Sequence, residues 1–206
     1  MAVEIRLATA RDARAVADIY GPIVASTPIS FEIEPPDERE MQRRIEQTLQ
    51  VYPWIVCEHD GRIIGYAYAT QHRARSAYQW SVDTSVYVHS DFHRCGVGRG
   101  LYTSLFQILI AQGYFNAYAG ITLPNPGSVG LHESVGFRPV GVYRRVGYKL
   151  GAWHDVGWWH AALQPSDSSP RPPVVLSRVQ DDPSWDALVR AGKSCIRGAF
   201  LKRSVP

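Results

Sequence analysis

The feature that most constrains the fold is a glycine-rich segment between a strand pattern and a helix pattern. Residues 78–88 alternate between an apolar face and a polar face that carries Asp83. The sequence HRCGVGRG follows at residues 93–100, and leucines then recur every four residues from Leu101, as on one face of a helix. Alternate glycines let backbone N–H groups approach a ligand, and a helix start adds the positive end of its dipole. This arrangement predicts a pyrophosphate site, with a plain glycine-rich turn as the alternative. It is not a P-loop, because the G-x-x-x-x-G-K-[ST] pattern is absent.

The rest of the body alternates between strand and helix patterns. Thr9 and Asp12 have the spacing of a capping box, and Asp60-Gly61 between two strand patterns is typical of a hairpin turn. These patterns indicate a mixed α/β (α+β) domain. Strands are predicted at residues 4–8, 54–57 and 62–69, and helices at residues 13–20 and 37–49.

A second glycine-bounded element covers residues 119–137. A strand pattern ends near Leu123, and Asn125 is suited to the N-cap of a helix with Pro126 at its first position. Gly136 is suited to the C-terminal cap of that helix. The sequence therefore predicts a second strand-to-helix transition after the glycine-rich loop.

The order of these elements, ending in N-x-x-S-x-x-L-H-E-x-x-G-F, resembles the GCN5-related N-acetyltransferase (GNAT) superfamily. The resemblance implies a central, mostly antiparallel sheet flanked by helices and splayed between its fourth and fifth strands. It also implies that acetyl-CoA is the cosubstrate, with its pyrophosphate in the glycine-rich loop and its pantetheine arm beside the second helix.

Segments dispersed over residues 3–163 narrow the resemblance to the phosphinothricin and methionine sulfoximine acetyltransferases. The segments are SFE (30–32), YPW (52–54), GYAY (65–68), RARSAY (73–78), LPN (123–125), GYK (147–149) and WHDVGWW (153–159). The resemblance implies acetylation of the amino group of phosphinothricin-like or methionine sulfoximine- or sulfone-like amino acids, by direct transfer in a ternary complex. It also implies a homodimer.

The resemblance places catalytic roles on Asp83 and His132. Asp83 matches the position of a general base that is usually Glu; because Asp is one methylene shorter, we expect it to act through an ordered water. The alternative is a carboxylate that balances a local Arg such as Arg75. His132 stands where most of the superfamily has a Tyr that protonates the departing thiolate, and imidazole can also accept the amine proton. The alternative is a half-buried helix histidine with a backbone partner.

Binding roles are carried over in the same way, although His93 replaces the Gln or Arg that usually leads the loop. The alternative for Arg73 and Arg75 is a solvated loop edge. Cys95 lies where a helix dipole could lower its pKa, or is simply a small residue that fits there. The implied acetyl-CoA contacts are Val86, Tyr87, Val88, Arg94, Gly96, Val97, Gly98, Arg99, Gly100 and Asn125. The implied amino-acid contacts are Phe31, Glu32, Arg73, Arg75 and Tyr78.

The chain divides at a Ser/Pro-rich segment. Residues 1–164 form the predicted acetyltransferase domain, and PSDSSPRPP at residues 165–173 is typical of a linker. Residues 174–206 carry apolar side chains such as Trp185 and Phe200, but glycines interrupt their helical spacing. We expect residues 165–206 to be a flexible or loosely docked basic tail whose removal leaves catalysis intact.

Charge and composition exclude other classes of function. The seven Lys or Arg and four Asp or Glu of residues 166–206 account for the net charge of +3, so the body is neutral and lacks the basic surface that nucleic-acid binding requires. The sequence has no long apolar run and no signal-peptide pattern, which predicts neither a membrane span nor secretion. Three cysteines without C-x-x-C spacing predict no metal site and indicate a reducing cytoplasm.

Two other functions remain open from the sequence. The same fold could acetylate another small amine, since pocket details decide the acceptor. It could also be a non-catalytic module that binds acetyl-CoA.

Overall fold

The computed structural model describes residues 3–197. Its centre is a seven-stranded sheet in the order β1-β2-β3-β4-β5-β7-β6. The strands are β1 (Val3–Leu7), β2 (Trp54–His59), β3 (Arg62–Gln71), β4 (Ser81–Val88), β5 (Asn116–Leu123), β6 (Arg138–Lys149) and β7 (Ala152–Ala162). The helices are α1 (Ala13–Ser26), α2 (Glu38–Leu49), α3 (Val97–Gln112), α4 (Pro126–Ser134), α5 (Leu176–Gln180) and α6 (Trp185–Arg190).

Local signals place several element ends as predicted. The capping box of Thr9 and Asp12 is present, although it caps a short 3-10 turn ahead of α1. Asp37 caps α2 by accepting a hydrogen bond from the Glu40 amide. At the β2–β3 hairpin, Asp60 and Gly61 both have positive φ, as the predicted tight turn requires.

The sheet is covered on both faces. On one face α1 and α2 pack with Met41, Ile45 and Tyr66 in a core of buried side chains. On the other face α3 packs against β2, β3 and β4, with Leu101 and Leu105 fully buried. Successive residues of β4 therefore point into two different layers.

The sheet opens between β4 and β5. These two strands run parallel and pair only over Ser81–Asp83 of β4 and residues 116–118 of β5, so their remaining residues diverge. All other neighbouring strands pair antiparallel. The predicted mostly antiparallel sheet and its splay are confirmed.

The segment after the Ser/Pro-rich stretch differs from the flexible tail expected from the sequence. Residues 174–197 lie against the body: Leu176, Val179 and Val189 are buried, and α5 and α6 contact α3. The Val174 amide donates to the Gln112 carbonyl at 2.8 Å. Residues 198–206 of the predicted tail lie outside the described part of the chain.

Small residues explain how this segment docks despite its few apolar side chains. The backbones of Gly192 and Gly100 approach so closely that a Cβ on Gly192 would lie 1.8 Å from the Gly100 carbonyl oxygen. The Gly192 amide donates to the Ser104 hydroxyl at 3.0 Å. The glycine that interrupts the helical pattern in the sequence is therefore the residue that lets the segment contact α3.

This docking changes the expected result of truncation. Removing residues 174–206 exposes apolar surface on α3, and we expect the Tm to fall by about 5 °C or more, since about 2 kcal/mol has that effect in a chain of this length. Gly192→Ala, which clashes with the Gly100 backbone, should reproduce part of the loss. Thermal unfolding followed by circular dichroism measures both; an unchanged Tm in the truncated protein would contradict the packing.

Among residues 3–197, no helix combines the length and apolar character that crossing a bilayer requires.

Candidate active site

The candidate site lies where β4 and β5 begin to diverge. Asp83 and Tyr118 form the last pair of the parallel ladder and share the sheet face covered by α1 and α2. The next residue, Thr84, points to the α3 face, and its hydroxyl donates to the Tyr118 carbonyl at 3.2 Å. Beyond this point β4 has no ladder partner on β5, so the amides of Val86 and Val88, which point to this edge, face the opening, whereas the Tyr87 amide points to β3.

Asp83 has a histidine partner that the sequence analysis did not identify. The Nδ1–H of His72 donates to Oδ1 of Asp83 at 2.6 Å. Burial raises the pKa of Asp83, and the hydrogen bond from His72 opposes that shift. The Asp83 side chain is therefore paired with His72 rather than with Arg75, the partner suggested by the alternative interpretation.

His132 lies on the other side of the sheet. Its ring is 4% exposed, its Nδ1–H donates to the Ser128 carbonyl at 2.7 Å, and its Nε2 is 2.7 Å from the Tyr102 hydroxyl. Because Nδ1 must carry the proton opposite a carbonyl oxygen, Nε2 of the neutral ring accepts the Tyr102 hydrogen bond. The backbone partner of the alternative interpretation is thus present. Asp83 and His132 do not meet, since the sheet separates them.

The hydrogen bonding of His132 predicts a pH dependence of stability. Burial lowers the pKa of His132 below its ordinary value of 6.5, so the fold favours the neutral ring. This contribution is fully present above the unfolded pKa of about 6.5 and is lost as the pH falls through the folded pKa.

We therefore expect the free energy of unfolding of the wild type to decrease between about pH 7 and pH 5. The decrease should be smaller in His132→Phe, which keeps an aromatic ring beside Tyr102 and Phe137. Urea unfolding at both pH values measures the free energy of unfolding of each protein. An equal decrease in the two proteins between these pH values would contradict the assignment. His160, whose pKa burial also lowers, remains in both.

The glycine-rich segment forms the start of α3. Arg94 and Gly96 have positive φ, and α3 begins at Val97, so residues 98–100 belong to its first turn rather than to the loop. The first amides of a helix have no partner within it and project out of its N-terminal end. The predicted helix N-terminus therefore lies beside the end of β4, and its role as a pyrophosphate site stays a prediction.

The glycines of this segment are not equivalent. Gly98 faces Leu131 of α4, where a Cβ would lie 2.7 Å from its side chain. Gly100 faces Gly192, and its amide already donates to the Gly96 carbonyl at 2.9 Å. The structure therefore gives Gly98 and Gly100 packing roles, and their acetyl-CoA contacts stay predictions.

The other predicted loop residues have clear local partners. Arg99 is exposed and donates to the Ser134 carbonyl of α4 at 3.1 Å. His93, at the position where the family usually has Gln or Arg, donates through Nε2 to the Val88 carbonyl at 3.0 Å. Cys95 is buried and burial raises its pKa, which favours the interpretation as a small residue that fits there.

Asn125 begins α4 as predicted. Its Oδ1 accepts a hydrogen bond from the Ser128 amide at 3.1 Å, and Pro126 occupies the first helical position. The same turn provides the Ser128 carbonyl to which His132 donates. Asn125 therefore fixes the turn on which His132 depends.

The segment with Phe31 and Glu32 lies on the α1 and α2 side. Arg44 donates to both carboxylate oxygens of Glu32 at 2.7 and 2.9 Å, so this arginine lowers the pKa of Glu32. Phe31 is 37% exposed and covers Gly147, where no Cβ would fit. Buried Lys149 donates to the Ser30 carbonyl at 2.8 Å. Phe31 is free to line a pocket, whereas Glu32 is already paired.

The loop between β3 and β4 is exposed beside His72. Arg73 lies over the Trp158 ring at 5.6 Å, and Tyr78 is 44% exposed with its ring 6.0 Å from that of His72. Arg75 is exposed at the start of a short 3-10 turn. Arg73 and Tyr78 thus lie near His72 and Asp83, Arg75 belongs to the same loop, and their contacts with an amino acid stay predictions.

His72 and Trp158 are the residues at this edge that sequence reasoning did not single out as site residues. The His72 ring stacks on Tyr118 at 4.3 Å, and Trp158 meets it edge-on at 6.4 Å. His72 is adjacent to Arg73 in the chain, but only the pairing of β3 with β4 brings it to Asp83.

Comparison with known proteins identifies the family. The profile of the acetyltransferase (GNAT) domain matches residues 5–158. The chain belongs to the GNAT acetyltransferases. Its docked segment 174–197 lies beyond the region that the profile matches.

Relatives of this GNAT acetyltransferase are similar over most of its length. Phosphinothricin N-acetyltransferase of Streptomyces viridochromogenes is 42% identical over 84% of this chain and 95% of its own. L-methionine sulfoximine/L-methionine sulfone acetyltransferase of Pseudomonas aeruginosa is 31% identical over 82% of this chain and 100% of its own. The structure of a phosphinothricin acetyltransferase from Sinorhizobium meliloti in complex with acetyl-CoA matches with a TM-score of 0.76, 30% identity, and coverage of 85% of this chain and 99% of that chain.

Acetyl-CoA is the cosubstrate of this GNAT acetyltransferase, and the site has features that fit it. The opening between β4 and β5 leaves the amides of Val86 and Val88 without ladder partners on β5. The N-terminus of α3 presents further amides near the end of β4. Donors for a carbonyl and for a pyrophosphate thus lie along one opening.

Proposed function

We propose that this enzyme acetylates the amino group of a small amino acid with a tetrahedral headgroup, such as phosphinothricin, methionine sulfoximine or methionine sulfone. The observation that carries the proposal is the edge where Arg73 and Tyr78 lie near His72 and Asp83 at the start of the splay, with Arg75 exposed in the same loop. Guanidinium groups bind headgroup and carboxylate oxygens in pairs, which suits such amino acids. The relatives named above act on substrates of this class.

Transfer is proposed to be direct, within a ternary complex. Acetyl-CoA supplies an activated acetyl thioester. The amides of Val86 and Val88 polarise its carbonyl, and the N-terminus of α3 with Arg94, Gly96 and Val97 binds the pyrophosphate. Cys57 and Cys95 are buried and their pKa values are raised by burial, which disfavours an acetyl-cysteine intermediate at either residue.

The two proton transfers are divided between the carboxylate of Asp83 and the imidazole of His132. Asp83 belongs to the acceptor side of the sheet, and His132 belongs to the side of α3 and α4. We assign the removal of the amine proton to the Asp83 side. For the departing sulfur, His132 takes up a proton from solvent on Nε2 and passes it to the Tyr102 oxygen as the Tyr102 hydroxyl gives its own proton to the sulfur.

A homodimer is proposed from the surface of β6 and its hairpin with β7. Apolar side chains are exposed there, and an exposed apolar patch of this kind is typical of an interface. The exposed residues are Val140, Val142, Tyr143, Val146, Tyr148, Leu150 and Trp153. Because β6 is also an edge strand, a second copy would cover both its side chains and its free backbone groups. A monomer in sedimentation velocity that retains full activity would contradict this.

A cytoplasmic location is proposed from the cysteines. Cys57, Cys95 and Cys195 are all free, as expected in a reducing compartment. Inactivation of an amino-acid analogue such as a herbicide would suit that location.

The test is release of thiol from acetyl-CoA in parallel with phosphinothricin, methionine sulfoximine, methionine sulfone and a panel of ordinary amines. The proposal expects turnover on the tetrahedral-headgroup amino acids well above the rate without acceptor. Arg73→Gln and Arg75→Gln should raise KM for those acceptors more than for an acceptor without the headgroup. Turnover only on ordinary amines would indicate another acceptor, and no turnover with acetyl-CoA still bound would indicate a non-catalytic module.

A further inference from the structure

His72 and Asp83 form a pair that resembles the base and its orienting carboxylate in acid–base catalysis. The short hydrogen bond from His72 Nδ1 to Asp83, at 2.6 Å, fixes which ring nitrogen carries the proton. Nε2 of the neutral ring is therefore a lone-pair acceptor. Among the residues that the structure describes, no hydrogen bond to Nε2 is present.

The His72 ring is held in place by aromatic side chains. It is stacked 4.3 Å from Tyr118, and Trp158 and Tyr78 meet it edge-on at 6.4 and 6.0 Å. Its side chain is 11% exposed, while that of Asp83 is 29% exposed. A ring fixed by stacking and by a carboxylate keeps one orientation, as a general base requires.

The pair lies on the side of the site proposed for the amino acid. Asp83 and Tyr118 are the last residues of the parallel ladder, and Arg73 and Tyr78 belong to the same loop as His72. His132 lies on the opposite face of the sheet with both ring nitrogens bonded. Proton removal at the amine and proton donation at the sulfur thus have separate groups.

We propose that His72 Nε2 is the general base that deprotonates the substrate ammonium, and that Asp83 is its positioning residue; this rests on the proposed function. His72 takes one of the three ammonium protons, and the freed lone pair forms the C–N bond as the C–S bond breaks. The second proton leaves the nitrogen for solvent and the sulfur receives one from the His132–Tyr102 side, so the amide keeps one N–H and one proton is released overall. The proton on His72 passes to solvent, and Asp83 stabilises the imidazolium while it lasts.

The role of Asp83 differs from that expected from the sequence. A carboxylate bonded to an imidazole stabilises the protonated ring and need not lose or gain a proton itself. Ordinary imidazole also titrates nearer to neutral pH than a carboxylate, so it is the better base at that pH. This replaces the ordered water with the side chain of His72.

The experiment compares His72→Asn with the wild type, because the Asn amide can still donate to Asp83 but lacks Nε2. We expect kcat/KM for the amino acid to fall by about 10² to 10⁴, with little change in acetyl-CoA affinity measured by calorimetry. The acidic limb of the pH profile of kcat/KM should disappear. In Asp83→Asn the limb should remain but move to lower pH, since the imidazolium loses its anionic partner.

A control variant distinguishes the effect of His72 on the pH profile from that of a second histidine nearby, His160. Asp83, Arg73, Tyr78 and Tyr118 face its ring, and His160 lies behind Tyr118 with ring centroids 4.9 Å apart. His160→Gln can retain the hydrogen bond to Asn116 that His160 makes and should keep both the rate and the acidic limb.

The outcomes distinguish this inference from the proposed function. A wild type that acetylates the amino acids, with His72→Asn within about threefold of it and the limb retained, overturns the role of His72 alone. Loss of the limb in Asp83→Asn but not in His72→Asn makes Asp83 the base. A wild type inactive on the tetrahedral-headgroup amino acids but active on another amine overturns the proposed acceptor, and the same variants are then compared on that amine. No turnover on any amine overturns both.

Discussion

Replacing His132 by alanine is expected to lower kcat by about 10² to 10⁴ while KM for acetyl-CoA changes little. The ring is buried and accepts the hydrogen bond of the Tyr102 hydroxyl, so its removal interrupts the only proton path assigned to the sulfur among residues 3–197. Steady-state thiol release with both substrates varied measures the two constants separately. An unchanged kcat would remove His132 from the mechanism.

Tyr102→Phe is the matched variant for this prediction. It keeps the ring contacts with Phe106 and Phe137 and removes only the hydroxyl that meets His132. If His132 acts through Tyr102, the two variants should lose similar amounts of kcat. Because the alanine variant also leaves a cavity and an unpaired hydroxyl that cost about 2–5 kcal/mol, its Tm is measured first, and His132→Gln is used if it does not fold.

Replacing Gly96 by alanine is expected to destabilise the fold by about 2 kcal/mol or more and to weaken acetyl-CoA binding at least about tenfold. Gly96 has φ +83°, and a Cβ there would lie 2.1 Å from the Cys195 carbonyl oxygen of the docked C-terminal segment. The Arg197 amide also donates to the Cys95 carbonyl at 2.9 Å, so the segment contacts the loop that precedes α3. Displacing this contact should move the amides that start the helix.

Gly61→Ala separates backbone strain from the clash. Gly61 has φ +82°, and a Cβ there would have no heavy atom within 4 Å. Its free energy of unfolding should therefore fall only by the cost of the left-handed conformation, about 1–2 kcal/mol, and its acetyl-CoA affinity should not change. Calorimetric titration with acetyl-CoA and urea unfolding measure both effects. Equal losses in the two variants would show that the segment does not constrain the loop.

Much of the fold follows from signals within short stretches of sequence. The turn at Asp60-Gly61, the caps at Asp37 and Asn125 and the apolar spacing of α3 each depend on residues a few positions apart. Such signals fix where elements begin and end but not which side chains meet across the sheet. The start of α3 at Val97, ahead of the predicted position, is a shift of this local kind.

The candidate site was predicted in part. Asp83, His132 and the arginine loop were named from the sequence, yet the hydrogen bond of His72 to Asp83 and that of Tyr102 to His132 join residues 11 and 30 positions apart. His72 has no motif of its own, and its role depends on the pairing of β3 with β4 and on Tyr118 beside it. Asp83 and His132 lie on opposite sides of the sheet, which the local sequence does not indicate.

The sequence by itself determined the family, the order of strands and helices and the glycine-rich start of α3, because these depend on local spacing and on motifs in a fixed order. Tertiary structure decided which groups share a side of the sheet and that residues 174–197 dock on α3. Few apolar residues indicated a free tail, but docking depends on shape, and the contact of Gly192 with Gly100 brings two backbones together. Contacts of this kind are set by strand register and close approach, which sequence spacing does not encode.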